Sequence, residues 1–443
     1  MEKDEVARDT IAAIATPIGR GGIGVVRLSG PKVQEIAQAL TGRLPRARNA
    51  SLCLIRDASG ERIDEGIVLY FPAPHSYTGE AMLELQGHGG PVVMQAVLAA
   101  CLDAGARLAE PGEFTRRAFL EGKLDLAQAE AVADLIDAAS REAARSALRS
   151  LKGEFSAVIG VLNAQLIELR ALIEAVLDFP EEEVDRLYVD DAAARLARVR
   201  AALEEVLGKS RQGSLLRSGI QVVLAGRPNV GKSSLMNRLA GEERAIVTPI
   251  PGTTRDALRE PLDIGGVPVI LVDTAGLRAS ADEIERLGVE RTRHELERAD
   301  VVLAVFEAGQ IVEPLADLPA GAARIDVFNK ADLAPGFLPP ATGHAAVVVS
   351  AKTGAGLDEL RRAILHAAGW TSTGESLFLA RERHLRALET ARSRLQAAAG
   401  ELRRWEFFAE ELRLAQNALG SITGEFTADD LLGEIFARFC IGK

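Results

Sequence analysis

Residues 220–242, reading IQVVLAGRPNVGKSSLMNRLAGE, decide the fold of the middle of this chain. The apolar run IQVVLA predicts a buried strand, and the residues from Lys232 onward have the spacing of a helix. Between them stands the pattern G-x-x-x-x-G-K-S, whose glycines let backbone N–H groups approach phosphate oxygens at the positive end of the helix. The stretch therefore predicts a P-loop. A glycine turn without a ligand is the alternative, and the complete pattern in its strand-to-helix setting disfavours it.

The P-loop pattern assigns roles to its last residues. Lys232 is placed to reach the β- and γ-phosphates of a nucleotide, and Ser233 stands where a hydroxyl ligates Mg²⁺. The residues expected around the phosphates are Asn229, Val230, Gly231, Lys232, Ser233 and Ser234.

Three later segments indicate which nucleotide binds. DTAG follows the strand pattern VPVILV, so its Asp273 can hold the magnesium shell through water and Gly276 can donate its N–H to a γ-phosphate. NKAD places Asp332 where a carboxylate can accept two hydrogen bonds that guanine donates and adenine does not. SAK, after a further strand, can close the base pocket by directing the Ala351 N–H at guanine O6. These segments predict GTP binding through Asp273, Thr274, Ala275, Gly276, Asn329, Lys330, Asp332, Ser350, Ala351 and Lys352.

Length and composition limit the class of protein. A chain of 443 residues is expected to hold two or three domains. Its net charge of −11 disfavours a broad nucleic-acid surface, so such contacts would need a local basic patch or a partner. The three cysteines are widely spaced, which fits a reducing cytoplasm. No apolar run is expected to reach the ~20 residues that span a membrane. We therefore expect a cytoplasmic protein without membrane contact.

Periodicity along the chain predicts a multidomain protein. Short strand and helix patterns at the start indicate an α+β domain, and a long stretch without glycine or proline indicates one helix from Lys123 to Lys152, followed by further helices. Alternating strands and helices then indicate a doubly wound, Ras-like α/β P-loop GTPase domain inserted into an all-α helical domain. The predicted bounds are 1–121 for the α+β domain, 122–215 for the first helical part, 216–376 for the GTPase, and 377–443 for the second helical part.

Strings along the whole chain carry a family resemblance: GRGGIGVVRLSG, SYTGEAMLELQGHGGP, GEFTRRAFLEGKLDLAQAEAVADLIDA, PGTTRDALRE and the terminal FCIGK. Together with the nucleotide motifs, they make the chain resemble the tRNA-modification GTPase family called MnmE or TrmE. The resemblance implies an N-terminal folate-binding domain that forms a homodimer. It implies a heterotetramer with a flavoprotein called MnmG or GidA, through which alone FAD would enter. It also implies addition of a carboxymethylaminomethyl or aminomethyl group to the wobble uridine of certain tRNAs.

The resemblance also assigns residues near both ends of the chain. Contacts to a one-carbon tetrahydrofolate, in its 5-formyl or 5,10-methylene form, fall on Arg27, Glu84, Lys123 and Lys443. A carboxylate suits the pterin edge and a cation suits the glutamyl tail, although without the family each would be read as an ordinary surface charge. Cys440 would act as a catalytic nucleophile or acid, or else as a small packing group.

Hydrolysis needs a substitute for the glutamine of Ras-like enzymes, because the residue after DTAG is Leu277, which cannot orient water. Asn229 and the oxygen-rich loop 248–256 could hold K⁺ where other enzymes insert an arginine. The resemblance places K⁺ ligands at Asn229, Thr248, Ile250 and Thr253. It places Mg²⁺ ligands at Ser233 and Thr254, and nucleotide contacts along the loop at Thr248, Pro249, Ile250, Pro251, Gly252, Thr253 and Thr254.

The same resemblance makes Glu285 the catalytic glutamate that orients water, beside Lys232 and Asn229. On residues alone, Glu285 is one of three acids at a solvated helix start, and Asn229 is equally a structural amide bonding the P-loop backbone. The alternative function is a ribosome-assembly switch like the Era and Der GTPases. That class needs an RNA-binding module, and no GXXG loop in a basic context follows residue 375. A purely structural scaffold is disfavoured by the complete set of nucleotide motifs.

Overall fold

A computed structural model describes the chain in two compact units. The described residues are 9–178, 186–242, 259–273, 298–310, 321–341, 343–371, 377–425, 433, 435–437, 439, 440 and 442. One unit comprises Met1–Ala133 with Gly420–Lys443, and the other comprises Asp134–Leu419.

The first unit is built on a six-stranded sheet in the order β3-β4-β5-β2-β1-β6, antiparallel except for the β1–β6 pair. The helices α1 and α2 share a buried apolar core with this sheet, which confirms the predicted α+β class. The strands are β1 (Ile11–Ile14), β2 (Gly21–Ser29), β3 (Ser51–Arg56), β4 (Arg62–Phe71), β5 (Met82–Gly89) and β6 (Arg107–Leu108), and the helices are α1 (Val33–Thr41) and α2 (Pro91–Asp103).

Strand β2 has glycines at its start: Gly21, Gly22 and Gly24 of GRGGIG lie within it, and Gly19 precedes it. The reason is the close approach of β2 to β5. A Cβ on Gly89 would lie 2.7 Å from the carbonyl oxygens of both Gly21 and Ile23. The glycines therefore let two backbones pair where side chains would separate them.

A buried ion network ties helix α3 (Glu113–Leu120) to this sheet. Arg117, whose side chain is 3% exposed, donates to Asp9 at 2.6 Å, to Glu113 at 2.9 Å and to Glu80 at 3.1 Å. Arg107 donates to Glu113 at 2.6 Å and to Asp9 at 2.7 Å. Burial alone would raise the pKa of the Glu113 carboxyl, but these hydrogen bonds hold that pKa below its ordinary value.

The helices that follow α3 contain a break that the sequence did not predict. The single helix expected from Lys123 to Lys152 is wrong, because the structure has α4 (Leu126–Ile136) and α5 (Arg141–Leu151). Ser140 ends the intervening segment as the N-cap of α5, and its Oγ accepts the Ala143 N–H at 3.1 Å. A serine that caps a new helix competes with continuation of the old one.

The remaining helices of the helical part include the long α6, whose composition departs from expectation. By length and composition alone, Glu154–Ala175 could cross a membrane, with a mean hydropathy of 1.5, which the sequence analysis did not anticipate. Its fully buried side chains recur every three or four residues, and α6 packs against α5 and α7, so its apolar face belongs to a helical core. These helices are α6 (Glu154–Asp178), α7 (Arg186–Ser218), α10 (Glu382–Gly400) and α11 (Trp405–Thr423).

The α/β part of the second unit is built on a six-stranded sheet in the order β12-β11-β10-β7-β9-β8. The pairs are parallel except for the antiparallel edge strand β8, which confirms the predicted α/β P-loop fold. Its elements are β7 (Ile220–Ala225), α8 (Lys232–Glu242), β8 (Arg259–Ile264), β9 (Val267–Asp273), β10 (Val301–Glu307), β11 (Ala323–Asn329), a 3₁₀ turn (Ala331–Leu333), β12 (Ala345–Val348) and α9 (Leu357–Ala367).

The chain enters and leaves this sheet at neighbouring points. Asp134 accepts hydrogen bonds from Arg217, at the end of α7, and from Arg381, just before α10, at 2.9 and 2.8 Å. Gln212 bonds the Gly369 carbonyl at 2.8 Å and the Thr371 N–H at 2.9 Å. The entry and exit segments are thus fastened to one another.

Candidate functional site

The P-loop joins β7 to α8 with the backbone its glycines permit. Gly226 and Gly231 have positive φ angles of 155° and 94°. A Cβ on Gly226 would lie 2.5 Å from the Val305 carbonyl oxygen, and one on Gly231 would lie 2.3 Å from Asn329 Nδ2. Asn229 also has a positive φ, 67°, a conformation that asparagine tolerates better than most residues.

Lys232 and Ser233 begin α8 with their polar atoms engaged. The Lys232 ammonium donates to the carbonyls of Gly226 and Arg227 at 2.8 and 2.9 Å, so it spans the loop it follows. Ser233 Oγ donates to Asp273 Oδ2 at 2.8 Å. Strand pairing creates this contact, because Asp273 ends β9 beside Leu224 of β7. A hydroxyl and a buried carboxylate this close form an oxygen donor set of the kind Mg²⁺ prefers.

The base-pocket segments meet the P-loop through Asn329. Its Nδ2 donates to the Val230 carbonyl at 3.0 Å, and its Oδ1 accepts the Ala351 N–H at 3.1 Å. Asn329 is almost fully buried at the end of β11, so these bonds fix the P-loop against the SAK segment. The Lys330 ammonium bonds Glu307 at 2.6 Å.

Asp332 is held in its charged form. Ser350 Oγ donates to Asp332 Oδ1 at 2.7 Å, and this hydrogen bond is the main cause of a lowered Asp332 pKa, with a smaller contribution from the charge of Lys352. A serine hydroxyl that orients one carboxylate oxygen leaves the carboxylate able to accept further donors.

The structure thus brings together the predicted Asn229, Val230, Gly231, Lys232, Ser233 and Asp273, and joins them through Asn329 to Ser350 and Ala351. Ser234 lies exposed on α8. The sequence did not predict the role of Glu307, whose contact with Lys330 depends on the register of β10 and β11. Outside the described residues lie Thr248, Pro249, Ile250, Pro251, Gly252, Thr253, Thr254, Thr274, Ala275, Gly276, Glu285 and Lys443.

A second polar cluster lies in the first unit. Arg27 and Glu84 face each other across β2 and β5, and Glu84 Oε1 accepts from Arg27 Nε and Nη2 at 3.1 and 3.0 Å. The Gly442 carbonyl accepts from Arg27 Nη1 at 3.4 Å, so the C-terminal segment reaches this pair. Lys123 instead donates to the Pro74 carbonyl, at 3.2 Å.

Two aromatic rings flank Arg27, and the sequence did not predict them. The guanidinium carbon lies 5.9 Å from the ring centres of both Tyr77 and Phe114. The Tyr77 hydroxyl shares a 2.8 Å hydrogen bond with Thr115, and burial raises the Tyr77 pKa. The only sequence signal was the position of Tyr77 within SYTGE, which carries no indication of its partner.

Cys440 is exposed, so the structure does not support a packing role for it. Its carbonyl accepts the Gly112 N–H at 3.3 Å at the start of α3. A Cβ on Gly112 would lie 2.6 Å from the Phe436 carbonyl oxygen, so the C-terminal segment lies directly against this turn.

Comparison with known proteins identifies the family of the chain. A family model described as the MnmE helical domain matches residues 126–440, and one described as the GTP-binding protein TrmE N-terminus matches residues 10–123. The tRNA modification GTPase MnmE of Azoarcus sp. (strain BH72) is 60% identical over 98% of both chains. That of Dechloromonas aromatica (strain RCB) is 59% identical over 98% of this chain and 99% of that protein.

Among solved structures, the G domain of the T. maritima FeoB iron transporter is 28% identical, with a TM-score of 0.26, over 34% of this chain and 98% of that one. The identity to the two MnmE relatives extends over 98% of this chain. The chain therefore belongs to the MnmE family of tRNA modification GTPases.

Proposed function

We propose that this chain hydrolyses GTP to drive modification of the wobble uridine of certain tRNAs, adding a carboxymethylaminomethyl or aminomethyl group at C5. GTP hydrolysis itself belongs to the chain as a member of a GTPase family. The observation that carries the proposal is the pairing, in one chain, of a P-loop joined to a guanine-type pocket with a separate Arg27–Glu84 cluster. Nothing in the described residues favours the Era- or Der-like alternative.

Magnesium and the phosphates would bind where α8 begins. Ser233 would ligate the ion directly and Asp273 would hold its shell through water, so that the ion would neutralise phosphate charge. The Lys232 ammonium would donate to phosphate oxygens in place of the Gly226 and Arg227 carbonyls, because both kinds of oxygen accept hydrogen bonds from it. Asp332 would accept hydrogen bonds from the N1–H and amino group of guanine. The Ala351 N–H, which donates to Asn329 Oδ1 in this structure, would donate to guanine O6 as well.

Potassium is proposed to stimulate hydrolysis through Asn229. The left-handed backbone of Asn229 places this amide at the turn of the P-loop. The other assigned ligands, Thr248, Ile250 and Thr253, lie outside the described residues, as does the proposed water-orienting Glu285. The ion would supply the positive charge that an arginine supplies in related enzymes.

A one-carbon tetrahydrofolate is proposed to bind at the Arg27–Glu84 cluster. The residues fit such a ligand in chemistry, since Glu84 offers a carboxylate to a pterin edge while Tyr77 and Phe114 offer aromatic surface. Lys123 and Lys443 would meet the anionic tail. We place FAD on the flavoprotein partner and expect the chain to form a homodimer within a heterotetramer.

A cytoplasmic location is proposed from the thiols. Cys53, Cys101 and Cys440 are all free. Burial raises the pKa of Cys101 to about 12, which makes that thiol unreactive. Cys440, the exposed one, is the thiol available for chemistry with tRNA or folate.

The test is nucleoside mass spectrometry of tRNA from a strain that lacks this protein. We expect the modified wobble uridine to disappear and to return with the wild-type gene. Complementation with the Asp332→Asn variant should restore less of it than the wild-type gene does, because GTP affinity falls. A normal modification profile in the deletion strain would rule the proposal out.

A further inference from the structure

The hairpin of β8 and β9 contacts the helical part of the second unit at the end of β9 remote from Asp273. Its turn is formed by Gly265 and Gly266, with φ angles of 61° and 88°, the positive values that a two-residue type I′ turn requires. Asp263 Oδ1 accepts the Gly266 N–H at 2.7 Å. The turn is therefore a fixed structure with its Gly266 carbonyl available to a partner.

Ser140 is that partner. Its hydroxyl donates to the Gly266 carbonyl at 2.7 Å and at the same time accepts the Ala143 N–H at 3.1 Å as the N-cap of α5. A hydroxyl has one donor and two acceptor sites, so both bonds form together. Ser140 is 7% exposed, and a Cβ on Gly266 would lie 2.8 Å from Glu142 Cγ. The hairpin thus rests directly on the first turn of α5.

Strand β9 connects this contact to the nucleotide site. It runs over seven residues, about 20 Å, between β7 and β8 and is buried along most of its length. At its far end Asp273 accepts the hydrogen bond from Ser233 of the P-loop. Because a close-packed strand moves as a unit, a displacement at Asp273 is carried to the Gly265–Gly266 turn.

We propose that Ser140 is a positioning residue that couples the nucleotide state of the Ser233–Asp273 end of β9 to the start of helix α5. This inference rests on the proposed function, because it takes GTP with magnesium as the ligand that reorganises Ser233 and Asp273. Coupling of this kind is reciprocal, so the contact at Ser140 must also bias which nucleotide the P-loop prefers.

Three substitutions separate coupling from helix capping. Ser140→Asp keeps an N-cap acceptor for Ala143 but has no proton for the Gly266 carbonyl. Ser140→Thr keeps both bonds. Ser140→Ala loses both and serves as the destabilised control, expected to cost about 1 kcal/mol from the lost cap.

The experiment is hydrogen–deuterium exchange on the full-length protein with Mg²⁺ and either GDP or the non-hydrolysable analogue GMPPNP. In the wild type and Ser140→Thr, exchange in the first turn of α5 should differ at least about threefold between the two nucleotides. In Ser140→Asp that difference should vanish, while unfolding stays a single cooperative transition with a melting temperature no lower than that of Ser140→Ala. The ratio of GDP to GMPPNP affinities should also change in Ser140→Asp.

The outcomes separate this inference from the proposed function. If neither guanine nucleotide binds the wild type with Mg²⁺, the assignment of the nucleotide site fails. If both bind, and the α5 response is absent from the wild type or equally large in Ser140→Asp, the coupling role of Ser140 is refuted while the GTPase assignment stands.

Discussion

At the scale of single residues, the proposed base pocket would separate guanine from adenine with one carboxylate. Ser350 orients Asp332 and keeps it charged, so its free lone pairs can accept the N1–H and amino group of guanine. Adenine offers no matching donors and would leave the carboxylate without hydrogen bonds. The free-energy cost of those missing bonds would make the pocket select GTP over ATP.

The Asp332→Asn substitution should lower GTP affinity roughly 10- to 100-fold and raise affinity for xanthosine triphosphate, because an acceptor becomes a donor. Calorimetry with both nucleotides measures this. Ser350→Ala, which removes only the orienting hydroxyl, should give a smaller loss with no gain for the xanthine base. Equal affinity of the wild type for ATP and GTP would contradict the guanine assignment.

Asn229 tests the potassium proposal. Hydrolysis by the wild type should rise at least about tenfold when K⁺ replaces Na⁺ at constant ionic strength, since the ion supplies charge in the transition state. Asn229→Ala should remove that response while GTP affinity changes little. Single-turnover hydrolysis in the two salts is the measurement, and identical rates in the wild type would exclude a role for the cation.

At the scale of elements, the ion network under α3 makes the first unit sensitive to acid. Glu113 is paired with Arg107 and Arg117, and its pKa in the folded protein is depressed. A depressed carboxyl pKa contributes stability that is complete above the unfolded value and is lost as the pH falls through the folded value. The loss should therefore begin below the ordinary value of 4.5.

The Glu113→Gln variant should lose roughly 2 kcal/mol at pH 7, because it removes one of the negative charges that pair with the buried Arg117. Its stability should also fall less steeply than that of the wild type between pH 5 and pH 3. Urea unfolding followed across this range provides both numbers. Glu35→Gln, a change at an exposed position on α1, is the matched control and should follow the wild-type curve.

The elements also show where sequence reasoning succeeds and where it stops. Strand β7 and helix α8 were predictable because the apolar run and the glycine pattern specify the same turn locally. The break before α5 was missed because its surroundings favour helix and only Ser140 signals a cap. The Arg27–Glu84 pair joins residues 57 apart, so it depends on strand register, which no local pattern encodes. The family resemblance, and not spacing, had singled out these two residues.

At the scale of the whole molecule, the proposed coupling of hydrolysis to tRNA modification needs a mechanical connection from the GTPase sheet to the helices. The GTPase sheet shares one apolar core with Ala147 of α5, Leu216 of α7 and the exit residues Leu377 and Leu379. A movement of the sheet is therefore transmitted to helices that pack directly against it, and not through a flexible linker.

The Glu285→Ala variant should bind GTP, folate and the flavoprotein partner as the wild type does, yet fail to support wobble-uridine modification. Binding alone cannot drive repeated opening and closing of the sites. Nucleoside mass spectrometry of tRNA from cells carrying only this variant is the measurement, with GTP turnover of the purified protein as the companion assay. Normal modification beside abolished turnover would show that hydrolysis is not coupled to the reaction.

The contact between the segments that enter and leave the GTPase sheet bears on how such a chain can evolve and be engineered. Because Arg217 and Arg381 meet at one carboxylate, the two ends of the inserted segment lie side by side, as the termini of independent domains often do. A gene encoding an independently folding GTPase domain could therefore be inserted into the gene of a helical protein without distorting the backbone of either protein. The same geometry permits the reverse operation, in which a linker of about five residues replaces the insert and leaves the helices their original neighbours.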